Sequence, residues 1–209
     1  MSFYKKSSGN ITSTVFAGLV MIFIIAGNNA TAQKRKLLGG SLDGLKEQTS
    51  YDLKFTYDSM MIGEVVPEKQ YLAEKKRDWE VKEPGKGYVF VDQWFNVREA
   101  RYEPTFIKNF EKYANVKLND KNAKYALIVK TKRTEGGWNL GITSHPGEID
   151  GEMWVVESAD HSKVIAKIGF YDFRGKISTG GDFEMTNRIN SAYELAGKGL
   201  GDFIKRKSK

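Results

Sequence analysis

Residues 185–205 constrain the fold most strongly, because they carry one unbroken apolar stripe at helical spacing. Apolar side chains recur there every three or four positions, so they lie on one side of a helix of about four turns. Such a helix needs a sheet or another helix to cover its apolar side. The stripe consists of Ile189, Ala192, Tyr193, Ala196, Leu200, Phe203 and Ile204.

Three glycines interrupt this helix: Gly197, Gly199 and Gly201. Each costs about 0.5–1 kcal/mol relative to alanine in a helix interior. Small residues at positions 192, 196 and 199 would let the helix lie close to a sheet, which offsets that cost. The sequence therefore predicts a closing helix packed tightly on one face of a sheet.

Several earlier segments predict the strands of that sheet. Residues 51–57 (YDLKFTY) and 125–131 (YALIVKT) alternate apolar and polar side chains, which is typical of half-buried strands. Residues 148–157 and 163–173 flank a short polar turn and predict a β-hairpin. The aromatic and β-branched residues of 87–97 (GYVFVDQWFNV) follow a Pro-Gly turn signal and predict one more strand.

Helices are predicted between these strands. Pro67 and Pro104 suit the first turn of a helix, and Phe106, Phe110 and Tyr113 form an apolar stripe after the second proline. The resulting order is β-α-β-α-β-β-β-α. It predicts an α/β (α+β) fold, a two-layer sandwich with a mixed sheet and the C-terminal helix on one face.

The N-terminal region predicts export. Residues 15–27 are apolar but too short to cross a membrane comfortably, and two lysines precede them. The small-x-small triplet Ala30-Thr31-Ala32 predicts a signal peptide, residues 1–32, cleaved after Ala32. An uncleaved anchor is the alternative. We expect a flexible basic leader at 33–48, a single α/β domain at 49–209 with no transmembrane segment, and a location in the periplasm or outer envelope.

The composition argues against several chemistries. The chain has no cysteine, and its two histidines, His145 and His161, lie in different turns without metal-binding spacing. It has neither a nucleophile elbow nor a phosphate-binding glycine motif. We therefore predict no catalytic residue, no metal and no cofactor.

Basic residues exceed acidic ones, giving a formal net charge of +7. They are scattered along the chain, whereas a nucleic-acid site gathers them beside stacking aromatics, so we predict no nucleic-acid partner. Alternation places Lys130 and Lys132 together on the sheet face away from Leu127 and Val129. They indicate either a solvated surface or a site for an anionic partner such as an acidic glycan.

One carboxylate pair could support catalysis. Asp150 and Glu152 point the same way on a predicted strand, about 6.5–7 Å apart by the rise per residue. That separation lies within the range of glycoside hydrolases. Alternating charge on an exposed strand has the same appearance, so the hydrolase remains an alternative.

The loop at 135–147 (EGGWNLGITSHPG) is the candidate binding element. Its apolar side chains either fold back over the core edge or form a tip that contacts a partner or a membrane surface. The candidate binding residues are Trp138, Asn139, Leu140, Ile142 and His145.

Three segments carry a family resemblance: AKYALIVKTKRTEGGWNLG (123–141), EMWVVESADHSKVIAKI (152–168) and GGDFEMTNRINSAYELAGKGLGDFIKR (180–206). They resemble a group of uncharacterised exported proteins of Bacteroidetes-type bacteria. More remotely, the element order is similar to the periplasmic domain of curli-secretion-channel lipoproteins and to the N-terminal domain of TolB. The resemblance implies the fold and an exported location, and it supplies no catalytic residues. The lipobox cysteine common in the wider group is missing here.

These features favour a non-enzymatic envelope or periplasmic domain that binds a protein or another envelope component. The alternatives are the carboxylate-dependent hydrolase acting on glycans, and an envelope subunit that self-assembles through an exposed strand edge. The oligomeric state is not predicted.

Overall fold

The computed structural model describes residues 34–139, 141–177 and 182–207, with side chains left out at 182 and 183. All of them belong to one compact unit. The predicted signal peptide, residues 1–32, lies outside the described residues. Nine strands are present: β1 Lys34–Gly40, β2 Asp52–Thr56, β3 Met61–Ile62, β4 Val66–Pro67, β5 Tyr125–Glu135, β6 Trp138–Asn139, β7 Ser144–His145, β8 Glu148–Glu157 and β9 Asp160–Arg174.

Seven of these strands form a mixed sheet. Its order is β1-β9-β8-β5, with β2 and the short pair β3-β4 both placed beyond β5. The neighbours β1-β9, β9-β8 and β8-β5 are antiparallel, whereas β2 and β3 run parallel to β5. Strands β8 and β9 form the hairpin that the sequence predicts.

The helices are α1 Glu68–Lys82, α2 Lys86–Val97, α3 Glu103–Ala114 and α4 Asp182–Lys207. A π-helical turn, Arg98–Tyr102, joins α2 to α3. Alternate residues of the central strands and the apolar stripe of α4 share one core, in which Met153, Ile168 and Leu200 are fully buried. The predicted two-layer sandwich, with a mixed sheet and a C-terminal helix on one face, is confirmed.

The strand predicted at 87–97 is wrong, because these residues form α2. A carboxylate from the preceding helix explains the difference. Glu80 accepts backbone hydrogen bonds from Gly85 and Gly87, both at 2.9 Å, and it thereby satisfies N–H groups at the start of α2. These bonds, that of Gly85 first, lower the pKa of Glu80. The capped start overrides the β-propensity of the aromatic and β-branched residues.

The flexible leader predicted at 33–48 is also wrong where the structure describes it. Residues Lys34–Gly40 form the edge strand β1, and the Arg35 guanidinium donates a 3.0 Å hydrogen bond to the Gly199 carbonyl in α4. Leu42 and Leu45 are buried in the core. Basic character concealed these apolar anchors, and residues before 49, from Lys34 onward, already belong to the domain.

The glycines of α4 set the distance between helices. A Cβ on Gly197 would collide with the Phe106 carbonyl oxygen of α3, and one on Gly201 would lie 2.7 Å from the Phe110 carbonyl oxygen. A Cβ on Gly199 would lie 2.7 Å from the ring of Phe173 in β9. Gly199 therefore allows the predicted approach to the sheet, whereas Gly197 and Gly201 allow close contact with α3.

We expect Gly197→Ala to destabilise the protein by about 1–3 kcal/mol, because the new methyl group overpacks the contact between α3 and α4. Helix propensity alone would make the Gly197→Ala protein more stable, because alanine favours a helix more than glycine does. Denaturant unfolding measures the difference. An exposed residue of the same helix serves as the control, since Lys205→Ala should change the free energy of unfolding by less than about 0.5 kcal/mol. A stabilised Gly197→Ala protein would contradict the close contact.

Candidate functional site

Most candidate residues of the 135–147 loop lie in a small β-hairpin that projects from the sandwich. Strand β6 pairs with β7, so that Trp138 lies opposite His145 with ring centroids 6.4 Å apart. Ile142 at the turn is 99% exposed and Trp138 is 43% exposed. The interpretation in which these two side chains fold back over the core is therefore wrong. Leu140 lies outside the described residues.

The base of this hairpin is held firmly by α4. Arg188 is only 2% exposed and donates hydrogen bonds to the carbonyl oxygens of Gly136 at 2.8 Å and Gly137 at 3.2 Å. Gly137 has φ +64, which favours glycine, and its N–H donates to the Glu135 carboxylate at 3.0 Å. The buried Arg188 guanidinium holds the base of the hairpin in place, while the tip is exposed. The tip can therefore present its side chains to a partner without the entropy cost of ordering the loop on binding.

The other hairpin candidates make local contacts. The Asn139 side-chain oxygen accepts a 2.9 Å hydrogen bond from the Gly141 N–H, which shapes the turn. His145 Nδ1 lies 3.0 Å from the carbonyl oxygen of Pro146. Neither contact brings a nucleophile or a carboxylate to the tip.

An aromatic groove lies beside the start of α4, and sequence reasoning did not find it. The groove has a volume of about 210 Å³. Phe90 stacks between Trp79 and Trp94, with centroid distances of 6.5 and 6.3 Å. The helical spacing of Phe90, Trp94 and Val97 could have indicated this groove, but these residues were assigned to a strand.

The groove and the hairpin are neighbours. Met185 lines the groove, and its sulfur lies 2.6 Å from where a Cβ of Gly136 would be placed. The carboxyl end of β5 and the first turns of α4 thus bring both features to one end of the sandwich. Apolar contact area is available there on two adjoining surfaces.

Asp150 and Glu152 share one sheet face, as the alternation predicts, but both already serve structural roles. Asp150 forms an ion pair with Arg133 and accepts a 2.8 Å hydrogen bond from the Asp172 N–H. Glu152 accepts a 2.6 Å hydrogen bond from Trp154 Nε1. Each carboxylate therefore already has a structural partner, with which a catalytic role would have to be shared.

The same ion-pair network holds a buried carboxylate. Glu148 is 3% exposed, and it pairs with Arg133 and with Arg174, the latter at 2.6 Å. Two guanidinium groups on one buried carboxylate give it the partners that burial requires. The network fastens β5, β8 and β9 together at one end of the sheet.

The sheet face away from the helices has its own centre at Trp154. The ammonium groups of Lys130 and Lys167 lie 3.2 and 4.0 Å from the centroid of its ring. Burial lowers the pKa of Lys130, and the charge of Lys132 adds to this effect. Lys132 is exposed and lies at a register shift between Thr131 and Arg133, where β5 carries one extra residue.

A second network lies between the helices and the sheet. The Tyr57 hydroxyl donates to Glu103 at 3.0 Å, and burial raises the pKa of both groups. The ring of Tyr57 also faces the Arg98 guanidinium, which pairs with Glu68. Glu68 in turn accepts a 2.6 Å hydrogen bond from Trp94 Nε1, so this network joins α1 to the π-helical turn. We interpret it as structural.

Within the described residues, no group of three or more His, Cys, Asp or Glu side chains is arranged to hold a metal ion. In the same part of the chain, no helix has the length and apolar character needed to cross a membrane.

Comparison with known proteins gives structural neighbours only. No family model and no curated protein matches the chain. The PelC dodecamer from Paraburkholderia phytofirmans matches with a TM-score of 0.33 and 10% identity over 78% of this chain and 96% of that chain. A variant PelC dodecamer from the same organism gives 0.32 and 9%, covering 78% and 95%. Likeness at this level assigns neither a family nor a function.

We expect Asp150→Asn to lower the free energy of unfolding by about 1–3 kcal/mol, because the amide weakens the bond to Arg133 and places an N–H₂ donor among donors. Glu152→Gln keeps an acceptor for Trp154 and should cost less than about 1 kcal/mol. Denaturant unfolding of both variants shows whether Asp150→Asn loses more stability than Glu152→Gln. A stable Asp150→Asn protein that loses a glycan-cleaving activity of the unmodified chain would instead support the hydrolase.

Proposed function

We propose that the protein is a non-enzymatic domain that works outside the cytoplasm and binds a protein or another envelope component through the hairpin at residues 138–145. The fully exposed Ile142 on a rigidly anchored turn carries this proposal. Large apolar side chains grouped in solvent are typical of interaction sites. Trp138 adds an aromatic side chain of the kind that is enriched among residues dominating binding energy.

Export rests on the sequence of residues 1–32. A basic start, a short apolar run and the triplet ending at Ala32 match the pattern of a cleaved signal. Strand β1, Lys34–Gly40, lies on the C-terminal side of the predicted cleavage site, so cleavage there would keep its pairing with β9.

The two alternative functions receive less support. The hydrolase would need carboxylates that are already paired with Arg133 and Trp154. Self-assembly through a sheet edge would need a long, flat, uncharged strand, whereas β1 carries basic residues and a register shift, and β4 is two residues long and ends in proline.

We predict that the exported protein begins at Gln33. Expression of the full chain in a bacterium with a secretion pathway, followed by mass spectrometry of the secreted form, checks this. A secreted or membrane-bound protein that retains residues 1–32 would favour the uncleaved anchor.

The hairpin is tested by placing a photo-cross-linking amino acid at position 142 in the exported protein, within intact cells. We expect one specific cross-linked species, which Trp138→Ala reduces several-fold by removing a neighbouring anchor. Trp138 is 43% exposed and its ring lies against His145, so Trp138→Ala should lower the free energy of unfolding by no more than about 1 kcal/mol.

Position 81 provides the matched control, since Val81 is an equally simple apolar residue on α1 and is 83% exposed. The same cross-linker there should give no such species. Identical products from positions 81 and 142, or none from 142, would overturn the role of the hairpin. A product of twice the chain mass would support self-assembly instead.

A further inference from the structure

The sheet face opposite the helices gathers lysines that are far apart in the sequence. Across the strands, Lys54 of β2 lies opposite Ile128, Ile128 lies opposite Trp154, and Trp154 lies opposite Lys167 of β9. The next row runs from Lys130 through Glu152 and Gly169 to Lys36 of β1. We call Lys36, Lys54, Lys130 and Lys167 the lysine face.

This face has an unbalanced charge. Among the residues that the structure describes, none of its four lysines forms an ion pair with a carboxylate. Glu152 is the acid within the two rows and lies opposite Lys130, so the two rows hold four lysines and one carboxylate. Lysines at the margins are different, since Lys34 pairs with Asp172 and Lys121 pairs with Asp52. The lysine face is therefore suited to an anionic partner.

Trp154 positions two of these ammonium groups. It lies on β8, between β5 and β9, so Lys130 and Lys167 approach its ring from neighbouring strands on either side. Cation–π attraction holds both groups against the ring. The ring is thus occupied by cations, and a nucleic-acid base would have to displace them to stack on it.

A second aromatic ring lies over the sheet beside this cluster. A Cβ on Gly169 would meet the hydroxyl of Tyr171 at 2.5 Å, so the outer part of that ring covers Gly169. Tyr171 is nevertheless exposed. Its position next to Lys36 offers an apolar platform for a sugar ring and a cation for that sugar's carboxylate.

The lysine face extends over five neighbouring strands, or roughly 19 Å at the usual strand spacing. A small anion cannot contact all four lysines at once. A linear polymer with regularly spaced negative groups can do so, and each contact adds to its affinity.

We infer that the lysine face binds an acidic polysaccharide, a chain of uronic-acid sugars whose carboxylates pair with Lys36, Lys54, Lys130 and Lys167 while one sugar ring rests on Tyr171. The inference takes only the location outside the cytoplasm from the proposed function. It concerns a different surface from the hairpin.

The test titrates the exported protein with a polygalacturonate oligomer, with uncharged dextran as the reference polymer. Lys130→Gln/Lys167→Gln should weaken polygalacturonate binding at least about tenfold, because two charge-assisted contacts are lost. Lys69→Gln/Lys108→Gln removes the same charge from exposed positions on the helices, and its affinity should stay within about twofold of the unmodified protein. Binding should also weaken as salt is raised.

A second pair of substitutions distinguishes a loss of binding from a loss of folding. Lys36→Gln/Lys54→Gln changes exposed lysines on edge strands, away from Trp154, and should also weaken binding, with an unchanged circular dichroism spectrum. The inference would be overturned if the helix control lost as much affinity for polygalacturonate as the lysine-face variants. It would also be overturned if dextran bound as tightly as polygalacturonate, or if polygalacturonate did not bind. Tighter binding of a single-stranded oligonucleotide with the same number of charges would identify a nucleic-acid surface instead.

This result is separable from the proposed function. Polygalacturonate binding without a specific cross-link at position 142 would overturn the hairpin and support the lysine face. A specific cross-link without polygalacturonate binding would do the reverse.

Discussion

The close contact between α3 and α4 is the constraint on which the rest of the structure depends. Backbone meets backbone at Gly197 and Gly201, so α4 can bury its stripe against the sheet and also lie along α3. In this position α4 sends Arg188 to the hairpin and accepts the Arg35 hydrogen bond from β1. One helix therefore supports the candidate binding tip at one end and closes the sheet edge at the other.

The two proposed binding surfaces differ in the physical interaction that each would use. The hairpin presents apolar side chains on a fixed base, where burial of surface would supply the binding energy. The sheet face opposite the helices presents cations, which would attract an anionic partner over a longer distance with a strength that falls as salt is raised. The ion-pair network around Glu148 separates the two, because it neutralises the end of the sheet nearest the hairpin.

The sequence predicts most of the fold where periodicity and tertiary burial agree. The stripe from Ile189 to Ile204 and the alternation in 125–131 specify α4 and β5 correctly. Residues 87–97 mislead because their helix depends on a cap from Glu80, which no local pattern reveals. The hairpin was identifiable as a loop, but its exposure depends on the distant Arg188. Alternation places Lys130 on the face away from the core, whereas only the strand register shows that Lys36, Lys54 and Lys167 share that face.

Strand β1 also has a consequence for how the chain matures. It pairs with β9, and its Arg35 donates a hydrogen bond to Gly199, so β1 needs partners from the last quarter of the chain. Synthesis on the ribosome delivers the N terminus first. The basic edge strand must therefore wait, unpaired, until nearly the entire polypeptide has emerged. Such non-local closure slows folding, and its charge keeps the waiting segment from premature association.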